Sequence, residues 1–323
     1  MDELLQSISL QLNIKPLEIL IVEDGSRETS KKVFEKYKEI LPVKYFYKKN
    51  TGAGDSRNYG MQKALGDYFI ILDSDCILPE NYLEEVNTAL QKKYTDAYGG
   101  ADAAHVLFTV KQKAINYSMT SFLTTGGLRG SETPTKKFQL RSFNMGISKA
   151  AFLKTKGFSK QHFGEDIDLT FKLWDCNFET QFIPKAFVYH KRRSTFLQFF
   201  KQTFNFGAAR PILNKMHQGT SKITFWFPSI FILGFLVAML LAAFNYTLLI
   251  SFYGFYFTVI FVDAIYKNRC TGEACFTSVQ TGAYAVITTM VQFTGYGLGF
   301  LRSTFRLKIL QKTKENTFPE MFT

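Results

Sequence analysis

The chain divides into two regions of different character, and this division constrains its fold more than any single motif. Over residues 1–222 charged and apolar residues alternate, as in a soluble domain. Three long apolar segments follow, at 225–244, 247–265 and 279–301. Each is close to the roughly 20 residues that a helix needs to cross hydrocarbon, although buried core helices are the alternative. The sequence therefore predicts a globular domain over 1–222 and a membrane region over 223–323.

The first region alternates strand patterns with helix patterns. The predicted strands are 18–24, 43–47 and 68–73, and the helices between them are 30–40 and 52–65. This alternation indicates parallel βαβ units and therefore an α/β fold. In open sheets of this kind, ligands bind beyond the carboxyl ends of the strands. Asp24, Asp73 and Asp75 lie at such ends.

Two of these acids, Asp73 and Asp75, stand one residue apart after an apolar strand. Such a pair can share a divalent cation, and the cation can hold a diphosphate. The sequence thus predicts Mg²⁺ or Mn²⁺ together with a nucleotide-linked donor. On its own the pattern is weak, because the turn after any strand favours aspartate.

A second acidic cluster, Glu165, Asp166 and Asp168, precedes another helix pattern. Acids in the first turn of a helix can serve only to cap it and to balance its dipole. Alternatively, one carboxylate acts as a general base that deprotonates an acceptor hydroxyl. A group transfer with inversion needs such a base, a metal on the leaving phosphate and room for in-line attack.

The formal net charge of +12 comes from basic clusters beside the apolar segments. These clusters are at 191–193 and 302–314, with Lys201, Arg210 and Lys215 between them. An anionic lipid surface suits this placement better than nucleic acid, which would need aromatic residues interleaved with a basic stripe. Residues 195–210 mix aromatic with basic side chains, so we predict an interfacial helix, with an ordinary packing helix as the alternative.

Taken in order, the motifs resemble those of the family 2 glycosyltransferases, an inverting group with the nucleotide-diphospho-sugar-binding GT-A fold. The resemblance covers roughly residues 2–210 and favours a membrane-associated bacterial type. The matching segments are Ile19-Leu-Ile-Val-Glu-Asp-Gly-Ser, Asn50-Thr-Gly-Ala-Gly-Asp-Ser-Arg-Asn-Tyr-Gly, Ile70-Ile-Leu-Asp-Ser-Asp, Ser142-Phe-Asn-Met-Gly-Ile-Ser-Lys-Ala-Ala-Phe with Gly157-Phe, and Gly164-Glu-Asp-Ile-Asp-Leu.

The resemblance assigns roles to five acids. It implies that Asp24 contacts the nucleoside and that Asp73 and Asp75 face the diphosphate and the metal. It also implies that Asp166 is the catalytic base and that Glu165 orients the acceptor.

Six further basic residues have open assignments. Arg57 either holds the nucleotide or forms a structural salt bridge. His190 is either a metal ligand, since neutral imidazole suits Mn²⁺, or an ordinary core or loop histidine. Arg210, with Lys191, Arg192 and Arg193, can clamp the pyrophosphate leaving group, although the last three fit contact with lipid headgroups equally well.

The chain departs from the family pattern in two ways. Its first residues, Asp2-Glu-Leu-Leu, belong to the helix that normally follows the first strand of the sheet, so we expect the neighbours of that strand to lack a ladder partner. We therefore expect a misplaced start codon or a truncated gene, and upstream DNA should encode the strand. In addition, Gln202-Thr-Phe-Asn-Phe lacks the Arg and Trp that processive synthases carry at this place.

These features together predict a glycosyltransferase that moves one sugar, with inversion, to a hydroxyl of a lipid-linked or cell-envelope glycan. The alternatives are a subunit of a processive polysaccharide synthase and a catalytically inactive membrane scaffold of an envelope-assembly complex. Because nucleotide sugars are cytosolic, we expect a multi-pass protein of the inner (plasma) membrane with its catalytic domain in the cytoplasm. Three spans would place the basic tail outside, against the positive-inside tendency, so the glycine-rich third segment is the candidate for a re-entrant or interfacial helix.

Overall fold

The computed structural model describes residues 1–103, 105, 108–126 and 137–322. They form two compact units. The described residues up to 105 and from 137 to 190, with Phe322, make the first, and 108–126 with 191–321 make the second.

The elements are numbered in chain order. The strands are β1 (Ile19–Asp24), β2 (Val43–Lys48), β3 (Tyr68–Leu72), β4 (Cys76–Ile77), β5 (Ala97–Ala103), β6 (Asn144–Ser148) and β7 (Thr180–His190). The helices are α1 (Asp2–Ser9), α2 (Lys31–Tyr37), α3 (Ala53–Lys63), α4 (Tyr82–Lys92), α5 (Val110–Thr120), α6 (Phe122–Thr125), α7 (Lys149–Thr155), α8 (Glu165–Asp175), α9 (Phe196–Met216), α10 (Phe227–Ala243), α11 (Leu248–Cys270), α12 (Cys275–Lys308) and α13 (Lys314–Thr317). Short 3-10 turns cover Ile223–Trp226 and Pro319–Met321.

The first unit has the predicted α/β fold of the GT-A type, with its strands in two sheets. β1 and β2 form a parallel pair, and a five-stranded sheet has the order β3-β6-β5-β7-β4. The larger sheet is mixed, since β5 and β7 are parallel whereas β3 and β4 run antiparallel to their neighbours. The sequence predicted the parallel units but not the antiparallel strands.

One free edge of β1 and one of β3 have no partner strand within the described part of the chain. β1 pairs only with β2, and β3 pairs only with β6. The resemblance predicted that the neighbours of a missing first strand would lack a ladder partner, but it did not identify those neighbours.

The five-stranded sheet carries apolar side chains on both faces. On β3, Phe69 and Ile71 pack into a core with α7 and α8, whereas Tyr68 and Leu72 pack toward α1 and α4. This alternation follows from the two-residue repeat of a strand, which turns successive side chains to opposite faces. The sheet is therefore covered on both sides, and its strand ends are left to form a site.

The second unit is helical, and glycines bring its longest helices together. A Cβ atom at Gly299 of α12 would lie 2.1 Å from the carbonyl oxygen of Phe204 on α9, and one at Gly207 of α9 would lie 2.0 Å from that of Tyr296. The backbones therefore approach where side chains would clash. α9 extends beyond the predicted 195–210 and buries Phe199, Thr203 and Ile212. This packing agrees with the packing-helix alternative for that segment.

Two helical stretches are long and apolar enough to cross a membrane, Ile223–Ala243 and Leu248–Cys270. They match the first two predicted apolar segments to within one residue at 244 and at 247. The third segment lies within α12, which is not one of these candidate spans.

Candidate active site

Asp24, at the carboxyl end of β1, is held by the turn that opens α3. Its Oδ1 accepts hydrogen bonds from Lys48 Nζ (2.5 Å) and from the Thr51 amide (3.0 Å), and its Oδ2 accepts one from the Gly52 amide (2.9 Å). Gly52 has φ 96°, a backbone conformation that glycine adopts without strain. Burial opposes ionisation of Asp24, but the Lys48 ammonium and the two amides outweigh it and lower the pKa of the carboxyl.

Lys48 is a site residue that the sequence analysis missed. Its ammonium also forms an ion pair with Asp55 at 3.2 Å, and only 13% of its side chain is exposed. Lys48 could have been found by aligning the two predicted parallel strands, because it stands directly opposite Asp24 in the β1–β2 ladder. The predicted contact between Asp24 and a nucleoside stays a prediction.

Arg57, on α3, connects the two acidic clusters. Its Nη2 donates to Asp73 Oδ1 at 2.8 Å, and its Nη1 donates to Glu165 Oε1 at 3.1 Å. The guanidinium lies 5.4 Å from the centre of the Phe158 ring, and 14% of the side chain is exposed. Of the two roles predicted for Arg57, the structure shows the salt bridge.

Glu165 begins α8 with its carboxyl group largely buried. Burial and the negative charge of neighbouring Asp166 raise its pKa to about 7, although the Arg57 guanidinium opposes the shift. The Ser142 hydroxyl donates to Glu165 Oε1 at 3.4 Å. A carboxyl group with a pKa near neutrality can both accept and release a proton at physiological pH.

The other two acids of α8 differ in their surroundings. Asp166 is half-buried, and its Oδ1 accepts the amide of Ile167 at 2.8 Å. Asp168 is 1% exposed and accepts from Ser159 at 2.7 Å and from Lys172 at 2.9 Å. Asp168 therefore stabilises the helix, and the predicted role of Asp166 as the catalytic base stays a prediction.

Asp75 and His190, with Cys76, form a candidate metal site. The imidazole Nε2 lies 3.4 Å from Asp75 Oδ1, and with Cys76 Sγ these groups offer ligand atoms within 4.8 Å of one another. The imidazole stacks on Phe143 at 4.5 Å, and its Nδ1 is buried without a hydrogen-bond partner among the described residues.

These donors fit a divalent cation of the kind predicted. Carboxylate oxygen and imidazole nitrogen are ligands for Mn²⁺ and related ions. Burial, together with the charges of Asp73 and Asp75, raises the pKa of the Cys76 thiol, so the oxygen and nitrogen donors remain the available ones. Asp73 points to Arg57 instead, and its role as a ligand stays a prediction.

The structure thus joins most of the predicted site residues into two groups, Asp73–Arg57–Glu165 and Asp75–His190. Arg210 belongs to the second unit, where its guanidinium lies 4.4 Å from the centre of the Phe225 ring. Its predicted contact with pyrophosphate stays a prediction.

Comparisons with known proteins give the family. A model of glycosyl transferase family 2 matches residues 1–158. An uncharacterized glycosyltransferase of Rickettsia conorii is 37% identical over 82 residues, which are 25% of this chain and 13% of that protein. The GalNAc(5)-diNAcBac-PP-undecaprenol beta-1,3-glucosyltransferase of Campylobacter jejuni is 24% identical over 216 residues, which are 65% of this chain and 64% of that protein.

Among solved structures, S. aureus TarS 1-349 in complex with UDP aligns with 94% of this chain and 86% of its own, at 16% identity and a TM-score of 0.47. The chain spans less than two thirds of the length of the curated relatives named above. The family match and the ordered motifs confirm the predicted resemblance: residues 1–158 match glycosyltransferase family 2, and the first unit carries an α/β domain of the GT-A type.

Proposed function

We propose that this protein transfers a single sugar, with inversion, from a nucleotide-diphosphate sugar to a hydroxyl of a lipid-linked or cell-envelope glycan. One observation carries the proposal. The buried guanidinium of Arg57 binds Asp73, on the predicted donor side, and Glu165, on the predicted acceptor side. The two acidic clusters, far apart in sequence, therefore belong to one site.

In this proposal Asp166 is the general base. It removes the proton from the acceptor hydroxyl, and the hydroxyl oxygen attacks the anomeric carbon opposite the bond to the diphosphate. The bond between the anomeric carbon and the diphosphate breaks, and its electron pair leaves with the nucleotide. Glu165 binds Arg57 and Ser142, so in this proposal it positions the site.

Asp75 and His190 would hold the divalent cation, with Asp73 nearby in sequence. The cation would neutralise charge on the departing diphosphate. Asp24, fixed by Lys48 and two amides, would present its remaining Oδ2 lone pair to the nucleoside.

The acceptor class and the location follow from two considerations. The Campylobacter jejuni relative is named for a glycan on undecaprenol diphosphate, and this chain carries two apolar helices of membrane length. We therefore place the protein at the plasma membrane with its catalytic domain in the cytoplasm, where nucleotide sugars occur.

The test is transfer from a panel of labelled nucleotide sugars, with Mn²⁺, by membranes that contain the full chain. Asp166→Asn and Asp75→Ala should each abolish formation of a labelled product, whereas Asp67→Asn, at a side chain that is 92% exposed, should not. Thermal unfolding of each variant shows that it has folded. Unchanged turnover in both site variants would overturn the proposal, and a ladder of long products would favour a processive synthase.

A further inference from the structure

The chain contains no charged residue between Lys222 and Asp263. This stretch forms α10, the short link after it and most of α11. The link, residues 244–247, includes Asn245 at φ 66°, and the Tyr246 amide donates to the Leu241 carbonyl at 3.0 Å. That pattern is a Schellman motif, which ends a helix and reverses the chain. The stretch is therefore a helical hairpin.

Aromatic side chains hold the two helices of the hairpin antiparallel. Phe231 of α10 contacts the rings of Tyr253 and Phe257 of α11, at 4.9 and 6.1 Å between centroids. Phe235, one turn further along α10, also contacts Tyr253 at 5.2 Å. The Tyr253 hydroxyl donates to the Phe231 carbonyl at 2.9 Å. Both ends of the hairpin consequently lie at its base.

The outer surface of the hairpin is apolar and uncovered. In the most apolar part of each candidate span, only 17% is buried for Ile223–Ala243 and 11% for Leu248–Cys270. The exposed side chains include Ile230, Leu233, Leu236, Leu240, Phe244, Leu248, Phe252 and Phe255. A continuous apolar surface of this extent is far larger than soluble monomers expose.

We infer that α10 and α11 cross the lipid bilayer twice as a hairpin, and that α12 does not cross it. At 1.5 Å per residue, the two helices are roughly 25 and 34 Å long, which matches a hydrocarbon core of about 30 Å. The occupant of the exposed surface is thus the acyl-chain region of a bilayer.

Charge at the two ends of the hairpin sets its orientation. The base carries Lys222, Lys267 and Arg269, whereas the tip carries only the uncharged Asn245, Tyr246 and Thr247. Basic residues stay on the cytoplasmic side, so the base faces the cytoplasm and the tip faces the other side. Two acids lie near the base: Asp263 is paired with Lys267 at 3.0 Å and accepts from the Tyr117 hydroxyl at 2.6 Å, and Glu273, just beyond α11, is paired with Lys113.

α12 differs from the hairpin helices in polarity and in packing. It buries Thr288, Thr289 and Ser303, and Gly295, Gly297 and Gly299 meet the backbones of neighbouring helices. The Ser229 hydroxyl at the base of the hairpin donates to the Gly297 carbonyl at 3.1 Å. With α12 outside the bilayer, the basic residues from Arg302 onward lie on the same side as Lys222.

The test measures which side of the membrane each end of the hairpin occupies. Cys270, exposed at the end of α11, is a natural reporter, and Cys76 is buried. All proteins are the full chain with Cys176 and Cys275 changed to Ser. One of them keeps Cys270 as its reporter. In the others Cys270 is also changed to Ser, and each carries one new reporter: Ser221→Cys, Thr247→Cys, Tyr246→Cys or Lys312→Cys. Sealed vesicles of both orientations are treated with a membrane-impermeant maleimide, and detergent shows that each thiol can react.

We expect Ser221→Cys, Cys270 and Lys312→Cys to be labelled from the cytoplasmic side only. The two tip variants should be labelled only from the opposite side, with complete loss of labelling from the cytoplasm. Tip labelling from the cytoplasmic side, or Cys270 on the side opposite Ser221→Cys, would refute the hairpin crossing. Labelling of Lys312→Cys opposite Cys270 would refute the placement of α12. The assay needs no sugar transfer, so its result is independent of the proposed function.

Discussion

The buried carboxyl of Glu165 makes a quantitative prediction about stability and pH. Its pKa is raised from 4.5 to about 7 by burial and by Asp166. Because each unit corresponds to about 1.4 kcal/mol, ionised Glu165 opposes folding by about 3 kcal/mol. The pKa of Glu165 is higher in the folded state than in the unfolded state. These roughly 3 kcal/mol of unfolding free energy are therefore fully present below pH 4.5, where the carboxyl is protonated in both states, and are lost as the pH rises through about 7.

The variant Glu165→Gln removes this titration while keeping the shape of the side chain. We expect the wild-type protein to lose up to about 3 kcal/mol of unfolding free energy between pH 4.5 and 8 that the variant does not lose. The variant should also lose sugar transfer, since Arg57 then lacks one of its two carboxylate partners.

The assay is denaturant unfolding in detergent across this pH range, followed by tryptophan fluorescence. Trp174 lies on α8 and donates from Nε1 to Thr180 at 2.9 Å, so it reports on the first unit. The matched control is Glu179→Gln, whose side chain is 52% exposed and should leave the pH dependence unchanged. If Glu165→Gln keeps the wild-type slope with pH, the raised pKa does not exist and the reasoning fails.

Three other predictions concern separate parts of the molecule. Arg57→Met should destabilise the first unit by roughly 3 to 5 kcal/mol in denaturant unfolding, because it leaves Asp73 and Glu165 without their cation; a smaller loss than for an exposed arginine would contradict this. His190→Ala should weaken Mn²⁺ binding by at least about tenfold in calorimetric titration, since even indirect support of metal ligands is worth that much; equal affinity would exclude His190 as a ligand. Gly299→Ala should lower the stability of the second unit by about 1 to 3 kcal/mol, because a Cβ would lie 2.1 Å from the Phe204 carbonyl. Gly254→Ala, where nothing lies within 4 Å, is its control, and equal effects would refute the packing argument.

The features that sequence reasoning predicted share a local origin. The strand ends at Asp24 and Asp73 were visible because apolar runs stop at acids, and the strand observed at Tyr68–Leu72 ends where the pattern does. The α/β class follows from the same alternation. The alternation of side chains along a strand and the residues that favour turns are both visible in a short stretch of sequence, so these strands could be predicted from it.

What could not be predicted depends on contacts distant in sequence. Arg57 and Glu165 are 108 positions apart, and nothing local to either residue shows that they meet. The Asp168 and Asp166 carboxylates look alike in sequence, yet only Asp168 is fully enclosed by partners. The glycines of α12 read as interruptions of an apolar segment, whereas they mark the close approach of α9 and α10.

The geometry around Arg57 also bears on how the charge of a donor diphosphate would be met. Arg57 uses Nη1 and Nη2 on Glu165 and Asp73, and its side chain is mostly buried against Phe158. A diphosphate that contacted this guanidinium would share it with Asp73 and Glu165, whose negative charges oppose the approach of a further anion. A cation held by Asp75 and His190, whose ligand atoms lie 3.4 Å apart, would instead bring positive charge to the phosphate oxygens. We therefore expect donor binding to need the divalent ion even when Arg57 is intact, and donor affinity to fall on chelation of the metal far more than on Arg57→Lys.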